Sequence, residues 1–392
     1  MTKPAGSSSR ALFLTPEALY PKIGGGALRA ASIFEYLLTR HQVDVIAFRE
    51  DAREVQTPGA SETLVLDLPH HARHALARGH RNLRRSVTGR PPLLDRYSGF
   101  DRQIAQWLKG RHYDVAVVEH FWCAPYAAVL RPHVRRLVLD LHNIDSPLQA
   151  PTAAASRWPL SLPFRRFAEA YRKLEARWLP AFDDVLAASG ADASRVPAER
   201  VSVYPNTIPY AEKPHVTLDD PFFDDLDAFT GNLEYDPNVS AVRWFASEIW
   251  PRIRRADPTL EWRLIGRNAH AIAKHVRGVE GAVIVGEVAD AIHELAKAKA
   301  AVVPLLAGSG TRFKILEAWA AGAPVVSTTI GAEGLGAVPG HHLLIANEPQ
   351  SFAEAVQEAL RHPAPLIRHG RELYEERYTT ESGQRLLEAL GL

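Results

Sequence analysis

The sequence predicts an α/β protein made of two doubly wound, parallel-sheet units, and three observations predict it. Short β-branched runs alternate with longer helical patterns, as in successive βαβ units. The series ends near residue 205 and restarts near residue 228. The 392 residues also exceed the roughly 250–300 that one hydrophobic core holds.

The elements follow in order. Ala11–Thr15 reads as a buried strand, and Ala27–Arg40 as a helix with Ala27, Ala30, Ala31, Phe34, Leu37 and Leu38 on one face. Val43–Phe48 and Glu62–Leu68 are strands, and residues 70–112 are basic and mostly helical. Strands follow at Tyr113–His120 and Arg136–His142, a helix at Phe164–Leu179, and strands at Asp184–Ser189 and Val201–Pro205. The proline-rich stretch Pro205–Pro221 reads as a linker. Beyond it, strands are expected at Ala228–Thr230, Glu261–Ile265, Ala282–Val285, Ala300–Leu305, Pro324–Ser327 and His342–Ile345. Helices are expected through Val239–Arg254 and at Asp290–Ala298, Arg312–Ala321, Ser351–Arg361, Leu366–Tyr378 and Glu381–Leu390. The expected domains are residues 1–208 and 209–372, with 373–392 packing back on the first. Two such units would bind a ligand at the carboxyl ends of their strands.

Composition excludes several classes. With 46 % apolar and 23 % charged residues, the chain is neither disordered, collagenous nor a coiled-coil rod. Cys123 is the single cysteine, so no intramolecular disulfide forms. There is no apolar run of about 18 residues, and Met1–Arg10 is polar, unlike a signal peptide. A cytoplasmic location is expected. The net charge of +1 conceals a split: residues 1–210 carry 28 Lys and Arg against 20 Asp and Glu, and the remainder carries 18 against 25. A basic half attracts nucleic acid, anionic lipid or phosphorylated ligands. No nucleic-acid module is present, so no nucleic-acid partner is expected.

Three motifs carry chemistry. Gly24-Gly25-Gly26 lies between a strand and a helix, where backbone can approach an anion or simply turn. Asp140-Leu-His142-Asn143 ends an apolar strand, where His142 could bind a hydroxyl or merely face water. The strongest runs from Pro304 to Ser327: a strand, a Gly308-Ser-Gly310 loop, then a helix opened by Thr311, Arg312 and Lys314. Cations at the positive end of a helix are locally unfavourable, and a bound phosphate resolves the conflict. Glu317, about one and a half turns on, could reach a ribose. The ordinary alternative is that Arg312 and Lys314 are solvated surface charges.

These motifs, together with Gly231-Asn-Leu-Glu-Tyr-Asp-Pro-Asn238, Leu264-Ile-Gly266, Glu119-His120-Phe-Trp122 and Gly331-Ala-Glu333, resemble the family 4 (group 1) retaining glycosyltransferases of GT-B fold. The resemblance implies a nucleotide-diphosphate-sugar donor held mainly by the C-terminal half. Glu317 would bind the ribose. Amides of Gly310, Thr311 and Arg312 would meet the diphosphate, joined by Gly25 and Gly26. Gly231, Asn232, Gly266, Ser327, Gly331 and Glu333 would line the donor pocket, and His142 would contact the sugar near the reacting centre. Glu119 and His120 could reach the acceptor. No cofactor and no metal are implied. Asp225-Leu-Asp227 looks like a metal-binding DxD but sits in an acidic run and reads better as solvated charge.

Two departures stand out. The first motif glutamate is replaced by Ser309, and the cationic pair usual after the Gly231 position is replaced by Asn232 and Pro237-Asn238. Arg312 and Lys314 are expected to compensate as catalytic cations. The departures keep open a GT-B epimerase or a non-catalytic nucleotide-sugar-binding protein. The Arg-rich stretches His70–Arg111 and Trp158–Trp178 suggest either an anionic membrane surface, as for lipid-linked acceptors, or solvated helix faces.

Overall fold

The computed structural model describes residues 9–16, 18–22, 25–50, 55–69, 85, 91–142, 161–209, 226–307 and 312–392. Gly24, Asn143, residues 308–311, residues 1–8, most of 70–90 and the acidic run up to Asp225 lie outside them. The chain divides into two compact units: residues 1–206 with 384–392, and residues 207–383. The segment 373–383 therefore belongs to the second unit.

The first unit is a seven-stranded sheet in which every pairing is parallel. Its strands are β1 (Arg10–Thr15), β2 (Gln42–Arg49), β3 (Glu62–Asp67), β4 (Tyr113–Glu119), β5 (Val134–Leu141), β6 (Asp184–Ala187) and β7 (Val201–Val203). Their order is β3-β2-β1-β4-β5-β6-β7, which reverses direction between β1 and β4. Helices α1 (Gly25–Arg40), α2 (Asp101–Leu108) and α3 (Ser161–Trp178) belong to this unit. β1, β2, β4 and β5 are buried almost throughout, because helices cover both faces of a parallel sheet. Separate apolar clusters occupy the two faces, one with Leu12, Ile46, Val118 and Leu139, the other with Phe13, Val45, Val117 and Val138.

The second unit repeats the plan. Its strands are β8 (Leu226–Thr230), β9 (Trp262–Ile265), β10 (Ala282–Gly286), β11 (Ala301–Val303), β12 (Val325–Ser327) and β13 (Leu344–Ile345), in the order β10-β9-β8-β11-β12-β13. Helices α4 (Asp236–Trp244), α5 (Phe313–Ala321), α6 (Pro349–Arg361) and α7 (Pro363–Arg377) flank it, and α8 (Thr380–Ala389) closes the chain. Trp250, Trp262 and Trp319 fill the core. α5 stops at Gly322, whose φ of 76° suits glycine, and Pro324 follows. The helix expected through Val239–Arg254 is interrupted: a π-helical turn, Phe245–Ile249, precedes Trp250–Ala256. Pro251 lacks the amide hydrogen an unbroken α-ladder needs there. No helix among the described residues is long and apolar enough to cross a membrane.

Candidate functional site

In both units a ligand-binding edge is expected where strand order reverses, at β1/β4 and β8/β11. Both edges hold buried polar groups.

In the first unit the strand register does the placing. Glu119 ends β4 directly opposite Asp140 of β5. His142 follows β5 and presents Nε2 to both, 2.6 Å from Glu119 Oε2 and 3.3 Å from Asp140 Oδ2. Arg29 reaches in from α1. Its Nε donates to Asp140 Oδ2 at 2.7 Å, one terminal nitrogen donates to Asp140 Oδ1, and the other to Tyr204 O at 2.6 Å and Asn206 Oδ1 at 2.7 Å. Arg29, Glu119 and Asp140 are all 0 % exposed. Burial opposes ionisation of Asp140, but Arg29 and His142 outweigh it and hold this carboxyl well below the usual range. Glu119 goes the other way: burial, then the Asp140 charge, push it well above the usual range against the pull of His120 and Arg29.

Glu119, Asp140 and His142 offer ligand atoms within 4.8 Å of one another, a grouping that can hold a cation. Here the Arg29 guanidinium already supplies the positive charge on both oxygens of Asp140. The two residues expected to meet an acceptor are both buried. Glu119 is occupied by His142. His120, at φ 62°, has its ring 4.1 Å from that of Trp122 and 3.7 Å from that of His142. Gly25 and Gly26 form the first turn of α1.

In the second unit, β8 ends at Thr230, and Gly231 and Gly266 follow β8 and β9. Gly231 N donates to Ile265 O at 3.1 Å. Both glycines are required. Gly266, at φ 147°, leaves room for no Cβ, which would lie 1.8 Å from Gly231 O. A Cβ on Gly231, at φ 133°, would lie 2.1 Å from Lys314 Nζ. Lys314, on the first turn of α5, donates to Thr230 O and sits 4.9 Å over the Phe229 ring. Burial lowers its ammonium to about 8, with Glu317 opposing and Arg312 adding to the effect. Glu317 accepts from Thr230 Oγ1 at 3.1 Å, and burial raises its carboxyl against the pull of Lys314 and that bond.

Asn232 is held by its neighbours: its carbonyl accepts from Asn238 Nδ2 at 2.7 Å and its Oδ1 from Asn268 Nδ2 at 3.1 Å. Arg312 is 5 % exposed, with a terminal nitrogen 3.6 Å from Glu333. Arg312 and Lys314 are thus not solvated surface charges. Ser327 Oγ turns to Val303 O and Thr328 O, and Gly331 packs over it: a Cβ there would meet Ser327 Oγ at 2.3 Å. Gly310 and Thr311 lie outside the described residues. Sequence reasoning missed Arg29, Thr230 and Asn206. The available signal for Arg29 was a cation among the apolar positions of α1, which calls for a buried counter-charge.

Comparisons with known proteins bear on the family and the fold. Residues 23–212 match the model of Glycosyltransferase Family 4, and residues 227–362 that of the Glycosyl transferases group 1. Sucrose-phosphate synthase from Thermosynechococcus elongatus superposes with a TM-score of 0.72 at 15 % identity, covering 98 % of both chains. HepE from Anabaena, solved with UDP and glucose, gives 0.63 at 16 % over 98 % of this chain and 99 % of its own. WaaG, a glycosyltransferase involved in lipopolysaccharide biosynthesis, gives 0.62 at 13 % over 97 % and 99 %. An uncharacterized 44.6 kDa protein in the cps region of Klebsiella pneumoniae is 26 % identical over 136 residues, 33 % of this chain and 35 % of that protein. That match spans about a third of the relative's length. The two Rossmann-like units share the GT-B fold of these structures. The chain belongs to the group 1 glycosyltransferases.

Proposed function

We propose that the chain transfers a sugar from a nucleotide-diphosphate donor to an acceptor hydroxyl, with the nucleotide taken by the second unit. One observation carries this reading. At the reversal point of the second sheet, two glycines with no room for a side chain lie beside a carboxylate, Glu317, and two cations, Lys314 and Arg312. That combination suits a ribose hydroxyl pair next to a diphosphate. HepE is solved with UDP-glucose, and a trehalose-6-phosphate protein from E. coli with UDP-2-fluoro glucose, which supports a nucleotide-sugar donor.

In this reading Glu317 accepts from the ribose. Gly231, Asn232, Gly266, Ser327, Gly331 and Glu333 shape the pocket, while the amides of Gly310 and Thr311 meet the diphosphate. Negative charge grows on the departing diphosphate as the glycosidic bond to phosphate breaks. Arg312 and Lys314 stabilise it, in place of the absent pair at Asn232 and Asn238, so no metal is required. His142 contacts the transferred sugar, and the anomeric configuration is retained by attack on the face the phosphate leaves. The basic first unit takes the acceptor. WaaG acts in lipopolysaccharide biosynthesis and the Klebsiella relative lies in a cps region, which favours a polysaccharide or lipid-linked acceptor at the cytoplasmic membrane face.

A thermal-shift screen of UDP, GDP, dTDP and ADP with their sugars tests the donor half. At least one is expected to raise Tm, and no shift with any of them contradicts the reading.

A further inference from the structure

In the second unit two opposite charges share one helix face, and a single residue holds them both. Lys314 and Glu317 stand three positions apart near the start of α5, a spacing at which an ammonium and a carboxylate can close on each other. Here each is engaged by Thr230, through a different atom. The Thr230 carbonyl accepts from Lys314 Nζ, and its hydroxyl donates to Glu317 Oε2 at 3.1 Å. Thr230 is 3 % exposed and ends β8, paired in register with Ile265 of β9. The sheet therefore fixes its backbone, and its β-branched side chain turns about one stiff bond. Glu317 turns about several, so a carboxylate with no partner would lose that freedom only when a ligand arrives. Among the described residues, Thr230 is the hydrogen-bond donor that Glu317 has. Gly231 completes the arrangement. Lys314 Nζ occupies the space a Cβ there would need, so a side chain at 231 would displace the ammonium from the Thr230 carbonyl.

We propose that Thr230 is the positioning residue of the donor site, its hydroxyl fixing the carboxylate that meets the ribose and its carbonyl fixing the cation that meets the diphosphate. Holding Glu317 by Oε2 leaves Oε1 for a ribose hydroxyl. Holding Lys314 at the end of β8 keeps the ammonium from collapsing onto Glu317, so each charge serves a different part of the ligand. Thr230 acts through these two side chains and makes no bond to the ligand itself. The role rests on the donor reading, since it describes how that site is kept in shape before the nucleotide arrives.

Exchanging the hydroxyl for a methyl tests it apart from the fold. UDP, GDP, dTDP and ADP are each titrated calorimetrically into the full chain as wild type, Thr230→Val, Thr230→Ser, Glu317→Ala and the double variant Thr230→Val with Glu317→Ala. Thr230→Val keeps the shape and the carbonyl but removes the donor. The nucleotide that wild type binds is expected to bind this variant about tenfold more weakly. Thr230→Ser keeps the donor and is expected to stay within about threefold of wild type. The two sites must also couple. In the Glu317→Ala background, adding Thr230→Val is expected to change affinity by less than about twofold, because no carboxylate is left to position. Equal affinity of wild type and Thr230→Val would overturn the proposal and leave the donor reading standing. So would a loss of about tenfold that persists without Glu317, which would mark a packing role. Thr230→Ala, set against Thr230→Ser, carries the same expectation should Thr230→Val not fold. A wild type that binds none of the four nucleotides would overturn the donor reading, and the proposal with it.

Discussion

The two sheets reverse at corresponding places, yet their edges are built differently. Each contains one inward-turned cation donating to a backbone carbonyl: Arg29 to Tyr204 O in the first unit, Lys314 to Thr230 O in the second. Arg29 is also locked onto Asp140, and the first edge is a closed network of side chains. Lys314 faces Glu317 without such a lock, and its Nζ fills the space over Gly231 that a side chain there would take. The closed edge suits orientation of one group, His142. The open edge suits a ligand that must lie against main chain.

The largest effect should come from opening the closed edge. Arg29→Ala strands Asp140 as a buried unpaired charge and is expected to cost about 3–5 kcal/mol in a denaturant titration. A loss under about 1 kcal/mol would show that the guanidinium is not its counter-charge. Next comes the backbone of the open edge. Gly266→Ala drives a methyl into Gly231 O and should cost about 3 kcal/mol, read as a lower Tm. If the second unit tolerates it, the two glycines are not in register as described. The smallest effect is a pH slope. Lysine in the unfolded chain titrates near pH 10.4 and Lys314 in the fold at about 8, so the unfolded state holds the extra proton between these values. Wild-type stability should therefore rise relative to Lys314→Met from pH 8 to about 10, by under about 1 kcal/mol after solvent screening. A slope of opposite sign would mean that Glu317 holds the ammonium charged.

Much of this comparison could be read from the sequence, and some could not. Alternating β-branched runs and helical stretches are local, so both sheets and their restart near residue 228 were visible. Glu317, Lys314 and His142 stood out because charged or titratable groups at strand and helix ends are conspicuous. What was hidden depends on register and on contacts far apart in the chain. Glu119 opposes Asp140 only because β4 pairs with β5, and Arg29 lies 111 positions from its partner. Glu119 and His120 read as acceptor contacts from the sequence, but their burial beside Asp140 and His142 depends on that pairing and was not visible. Pro251 was visible, but its power to open a π-helical turn in an otherwise periodic helix was not.

The central claim is that the open edge holds the nucleotide sugar through Glu317. The most direct measurement is a calorimetric titration of whichever nucleotide sugar raises Tm, with wild type and Glu317→Ala side by side. The expected result is affinity weakened about 10- to 100-fold in the variant, as for loss of a charged hydrogen-bond acceptor. Equal affinity in the two proteins would contradict the claim.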